Sequence, residues 1–161
     1  MRTAILALAL LASCVSAETP DPAAPGPLAE LAPGQYVVLE ASRAVATSQQ
    51  CSRGAPEIES GWPMSDADAQ AVERRLHELV TQTGSGPRPD LASSVRQYVG
   101  AVVDGQQVIY INVFPASMME YDEDFDRLSP VMVCDGGAGF WGVVFDPESG
   151  EFSDLDFNGF A

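Results

Sequence analysis

Apolar residues recur in two rhythms along this chain, and the change from one to the other places the elements. From Ser65 onward Val72, Leu76, Leu79 and Val80 fall at helical spacing and make one apolar stripe. Ser65 is placed to cap this helix, Asp68 completes an S-x-x-D capping box, and Asp66 and Asp68 suit the positive end of the helix dipole. Gly84, Gly86 and Pro87 end it. Glu73, Arg74, Arg75, His77 and Glu78 fall largely off the stripe, and Glu73 and His77 read as an ordinary i,i+4 surface pair.

After the helix the rhythm shortens to that of strands. Val95–Val103 and Gln107–Phe114 flank Asp104-Gly105, a strong hairpin signal. Val131–Cys134 leads through Asp135-Gly-Gly-Ala-Gly139 into Phe140–Phe145, and Asp146–Gly150 turns the chain into a last strand, Glu151–Phe157. Gln35–Glu40 is a further strand before the helix. Residues 41–63 have no clean period and read as a loop pinned by Cys51, with Trp62 set into the core. The expectation is an α+β fold, with one N-terminal helix packed on a four- or five-stranded antiparallel meander. Its element order resembles the cystatin-like and peptidase-propeptide-like families, a likeness of order that carries no function.

The N-terminus follows neither rhythm. Met1-Arg2 and the apolar run to Ala12 form a signal sequence over residues 1–17, too short to span a bilayer. Two cleavage readings stand. Leu11-Ala12-Ser13-Cys14 resembles a bacterial lipobox, which makes Cys14 the lipidated first residue and the membrane contact a lipid one alone. Val15-Ser16-Ala17 suits an ordinary signal peptidase, which releases a soluble periplasmic or secreted chain from Glu18. Residues 18–34 are a Pro-rich linker that favours extended conformations, and 35–161 are one domain. Either route ends in the bacterial cell envelope. With Cys14 acylated or discarded, Cys51 and Cys134 remain in an oxidising compartment and are expected to pair. On the chain-entropy model, closing their loop of about 80 residues stabilises by about 4 kcal/mol.

Charge narrows the partners. All eight basic residues are arginine against 23 acids. Loss of Arg2 with the signal leaves seven against 23, a net of −16. Such a surface repels nucleic acid and anionic lipid, and leaves a cationic partner such as a basic protein, a divalent ion or mere solubility open.

No arrangement of catalytic groups emerges. His77 is the sole histidine and lies toward the polar side of the helix, which is poor ground for a triad or a zinc site. The glycines at 136, 137 and 139 are followed by no lysine, so a phosphate cradle fails. Asp122, Asp124 and Asp126 form a D-x-D-x-D stretch, the weak candidate for calcium, but Arg127 stands where such a loop needs glycine. Asp154-Leu-Asp156-Phe-Asn158-Gly159 matches the start of an EF-hand loop, yet reads more simply as a strand with Leu155 and Phe157 inward and Asp154, Asp156 and Asn158 in water. No cofactor is expected.

The C-terminal third has the most distinctive wording. Cys134-Asp-Gly-Gly-x-x-x-Trp141-Gly, Phe145-Asp146 and Phe152-x-x-Leu155-x-x-Asn158-Gly159, with Arg96-Gln-Tyr-Val-Gly100 before them, resemble a signature of small bacterial envelope lipoproteins. The resemblance spans roughly residues 50–160. It implies a fold and an exported location, and no activity or catalytic residue. The sequence therefore predicts a non-catalytic envelope lipoprotein with a binding or structural role. The alternatives are an acidic inhibitor or binder of a basic protein, such as a lysozyme-like hydrolase, and a calcium-binding domain.

Intact-mass measurement of natively processed protein checks the N-terminus. The expected species begins at acylated Cys14 and gains about two daltons on reduction of one disulfide. A chain beginning at Glu18 would replace the tether with free diffusion.

Overall fold

The hairpin that turns at Asp104-Gly105 sets the architecture. The computed structural model describes residues 34–82, 90–120 and 125–160. The signal sequence, Cys14, linker residues 18–33, the helix-ending Gly84, Gly86 and Pro87, and Asp122 and Asp124 lie outside the described residues. Strands are β1 Tyr36–Val38, β2 Ser60–Gly61, β3 Ser94–Val103, β4 Gln106–Pro115, β5 Trp141–Phe145 and β6 Phe152–Phe157; helices are α1 Ala44–Ser48 and α2 Asp66–Gln82. The fold is α+β with a six-stranded sheet in the order β1-β3-β4-β5-β6, and β2 also paired to β3.

Local chemistry explains much of this. Asp104 and Gly105 both take positive φ (49° and 75°), the backbone that a two-residue hairpin turn demands. They set the register Val103↔Gln106 through Ser94↔Pro115. Helix α2 starts at the expected box: the Ser65 amide donates to Asp68 Oδ2 at 2.8 Å, and the Asp68 amide to Ser65 Oγ at 3.3 Å. The Ser65 hydroxyl also donates to Asp68 Oδ2 at 2.7 Å, and the bonds from the Ser65 amide, first, and from its hydroxyl hold the Asp68 carboxyl below its usual range. Val72 and Leu76 are fully buried, with Leu79 and Val80 at the margin of the same core.

Three expectations need correction. The sheet is not a pure antiparallel meander: β1 runs parallel to β3, Tyr36↔Arg96 to Val38↔Tyr98. Parallel pairing is possible because 41–93, including α2, supplies the crossover. Residues 41–63 are not all loop. They hold a 3₁₀ turn at Ala41–Arg43, the five-residue α1 and the short β2, elements too brief to imprint a period. Val131–Cys134 is not a strand either. Sheet side chains take its backbone bonds: the Val131 amide donates to Gln97 Oε1, and the Val131 carbonyl accepts from Asn112 and Gln50.

Both faces of the sheet are covered. One carries α2 over Tyr98, Ile109, Ile111, Val113, Trp141 and Val143. The other is covered by non-sheet chain, with Leu39, Ala44 and Ile58 over Val99, Ala101, Tyr110 and Val144, and Val131 against Val95 and Phe114. Trp62 plugs in as expected, its indole N–H donating to the carbonyls of Ala101 and Val108.

Glu73 corrects the helix reading. Rather than pairing with His77 in water, it turns inward and holds Arg96 through two bonds, 2.5 Å to Nε and 3.2 Å to Nη2. Tyr98 donates its hydroxyl to the same carboxylate at 2.7 Å. Burial, followed by the Glu73 charge, pushes the Tyr98 phenol well above its ordinary range and keeps it a donor. Arg96 also donates to the carbonyls of Leu91 and Gly34, so one guanidinium joins α2, β3 and the start of β1.

Glu73→Gln therefore leaves a 3% exposed Arg96 side chain without its anion. The expected loss is about 3 kcal/mol, read as a lower urea midpoint at unchanged slope. A loss within the scatter of a surface substitution would show that the pair does not anchor the helix.

Candidate functional site

Two arrangements stand out, one buried and one open. The buried one lies on the second face of the sheet. Segments 49–54 and 131–135 meet there and are joined by Cys51–Cys134, whose Cα atoms are 5.3 Å apart, as the sequence predicts. Arg53, two residues after Cys51, is buried. It donates to Asn158 Oδ1 at 2.9 Å, to Tyr110 Oη at 3.4 Å and to Asn112 Oδ1. Space for it exists because residue 142 is glycine: a Cβ there would stand 3.1 Å from Arg53 Nε and press on the Tyr110 hydroxyl. Asn112 also donates to Gln97 Oε1, and Gln97 donates to the carbonyls of Arg127 and Ser129. The polar line from Gln97 to Asn158 thus stitches the covering loops to the sheet.

Sequence reading missed this cluster. Asn158 is not a water-facing residue of a period-two strand: it is 3% exposed and bonds Arg53 and the Val133 carbonyl. Asp154 breaks the alternation with φ 53°, at the register shift between β5 and β6. Leu155 and Phe157 do pack inward, and Asp156 accepts from the Gly54 amide at 2.7 Å. The available signal was polar residues inside strand-like runs, Gln97 and Asn112, at positions that a fully buried strand fills with side chains needing partners.

The open arrangement lies at the turn end of the sheet. The β3–β4 turn, the β5–β6 turn and the start of β6 bring Asp104, Asp146, Glu151 and Asp154 around one hollow of about 250 Å³. Val108, Val144 and Phe152 contribute its apolar lining; no arginine lines it, and Arg75 of α2 stands on the far side of Glu151 and Phe152, against Gly150. Asp146 accepts from Ser149 Oγ at 2.7 Å and from the Glu148 amide at 2.8 Å. These bonds, the serine hydroxyl first, hold its carboxyl below the usual range and keep it charged. Carboxylates above an apolar lining suit a lysine or arginine side chain, whose stem is apolar and whose head is cationic.

The remaining sequence candidates are separate from both arrangements. His77 is exposed on α2. Asp126 closes its own turn, accepting from Ser129 Oγ at 2.7 Å and the Leu128 amide at 3.0 Å. Asp135 is a turn residue at φ 59°. Among the described residues no group of three or more His, Cys, Asp or Glu is arranged to hold a metal ion. None of their helices is long and apolar enough to cross a membrane. No protein-family model, curated protein or solved structure matches this chain.

Acid stability follows from the turns. Asp68, Asp90, Asp126 and Asp146 all have carboxyls lowered by serine and backbone donors. A group lowered on folding stabilises fully above its unfolded value, near 3.8 here, and loses that contribution as the pH falls through its folded value. The melting temperature should hold from about pH 7 to 5 and fall below about pH 4. Asp146→Asn should lower it at neutral pH and flatten the acid limb. A wild-type decline centred between pH 7 and 5 would contradict this assignment.

Proposed function

We propose that this chain is a non-catalytic binding domain of the bacterial cell envelope, tethered by lipid on Cys14, and that its acidic hollow receives a cationic side chain of a basic protein. The hollow carries the reading. Four acidic residues, from two turns at one end of the sheet and from β6, line one hollow beside apolar side chains. Such a lining favours one long basic side chain over diffuse attraction to the net acidic surface. The lipobox and the cysteine pairing support an oxidising compartment, where basic hydrolases of the lysozyme class act on the wall. The cystatin-like or propeptide-like element order adds no activity to this reading.

The test is titration of the oxidised, mature chain with a lysozyme as the basic probe. Affinity should fall steeply as salt rises, since the attraction acts across solvent. Asp104→Asn, Glu151→Gln and Asp154→Asn together should weaken binding by about tenfold at low salt. Asn tolerates the positive φ of both aspartate sites, so the turns persist. Asp146 is left intact because its carboxylate holds its own turn. Binding indifferent to salt and to the three substitutions would overturn the proposal, and binding abolished by a chelator would transfer it to the calcium alternative.

A further inference from the structure

The two buried arginines are neutralised differently. Arg96 has the Glu73 carboxylate. Arg53, 8% exposed, has neutral acceptors only, two amide oxygens and a phenol. Its Nε is buried with no hydrogen-bond partner. The nearby Asp156 carboxylate bonds the Gly54 amide instead of the guanidinium. A desolvated cation with no anion and an unmatched donor favours release into water. It stays because the strap that carries it, residues 49–54, is fastened at Cys51 to Cys134. Both cysteines are exposed, so the fastening is open to attack from solvent.

We propose that Cys51–Cys134 is a redox latch, and that its reduction lets the 49–54 strap lift and carries Arg53 off Tyr110, Asn112 and Asn158 while the rest of the sheet stays folded. The reductant is a dithiol, a small molecule or an envelope oxidoreductase with two cysteines. One of its thiolates attacks either sulfur, forming a mixed disulfide and expelling the other cysteine as a thiolate, which takes up a proton. Its second thiol then closes its own disulfide and releases the remaining cysteine. Two electrons and two protons pass, leaving two protein thiols and one oxidised dithiol. Among the described residues the strap's other ties are Gln49 and Gln50 to the α1 carbonyls of Ala46, Thr47 and Ser48, Gln50 to the Val131 carbonyl, Ser52 to the Asp135 and Gly159 amides, and Gly54 to Asp156. None crosses α2 or the β3–β4 ladder.

Hydrogen exchange read by mass spectrometry on the mature chain, oxidised and in excess dithiothreitol, decides it. Peptides over 49–54 and 131–135 should exchange at least about tenfold faster when reduced, with α2 and the β3–β4 hairpin within about twofold. Arg53→Gln, which keeps an amide donor and removes the charge, should keep the reduced strap within about threefold of the oxidised rate. Arg53→Lys, which keeps the charge, should open on reduction as the wild type does; it retains the readout if the glutamine variant fails to fold. Unchanged strap exchange on reduction would overturn the latch. So would simultaneous loss of protection in every segment, or a reduced Arg53→Gln strap as open as the wild type.

Discussion

The β3–β4 hairpin is buried on both faces along most of its length, so the chain must supply two covers, and only one of them is a long helix. A helix satisfies its own backbone and needs only an apolar stripe to seat it. An irregular cover does not, and each of its buried amides and carbonyls needs a partner. The sheet supplies them through Gln97 and Asn112, polar side chains set within long apolar strands, which bond the backbone at 127, 129 and 131.

The same constraint accounts for the wording of the C-terminal third. Cys134 bonds Cys51, Asp135 and Gly137 take positive φ, and Trp141 fills the core. Gly142 leaves room for Arg53 and Tyr110, Phe145 packs on Phe152, and Asn158 holds Arg53. Trp141, Phe145 and Phe152 belong to the core under α2, while Cys134, Gly142 and Asn158 have tasks around the second cover. The motif thus reads as the specification of a fold, and the open acidic turns stand beside it.

Charge is divided along the same line. Arg53 and Arg96 are spent inside, each bonded to the chain, while the turns at one end of the sheet present carboxylates with no arginine among the residues that line the hollow. The free edge of β6 is also acidic. Asp154 interrupts the strand, and Asp156 Oδ1 accepts from the amide of Phe157. Both features discourage pairing with another chain at that edge.

Elements with a local cause were legible in the sequence. The capping box and stripe of α2, the Asp104-Gly105 hairpin, the β5 and β6 runs and the even pair of cysteines each depend on neighbours in sequence or on compartment chemistry. What was not legible depends on partners far along the chain. Glu73 lies off the apolar stripe of α2, and only Arg96 and Tyr98, more than twenty residues away, draw it inward. Val131–Cys134 has strand composition, but Gln97, Asn112, Gln50 and Asn158, all distant in sequence, take its backbone bonds instead of a neighbouring strand. Arg53 and Asn158 are separated by 105 residues and have no sequence pattern that joins them. The sequence alone determined the helix, the hairpin and the pairing of Cys51 with Cys134, because these follow from short-range sterics, periodicity and cysteine chemistry. Tertiary structure decided which polar side chains are buried and which acids converge, because burial gives a polar group its need for a partner and only the folded chain brings that partner within reach.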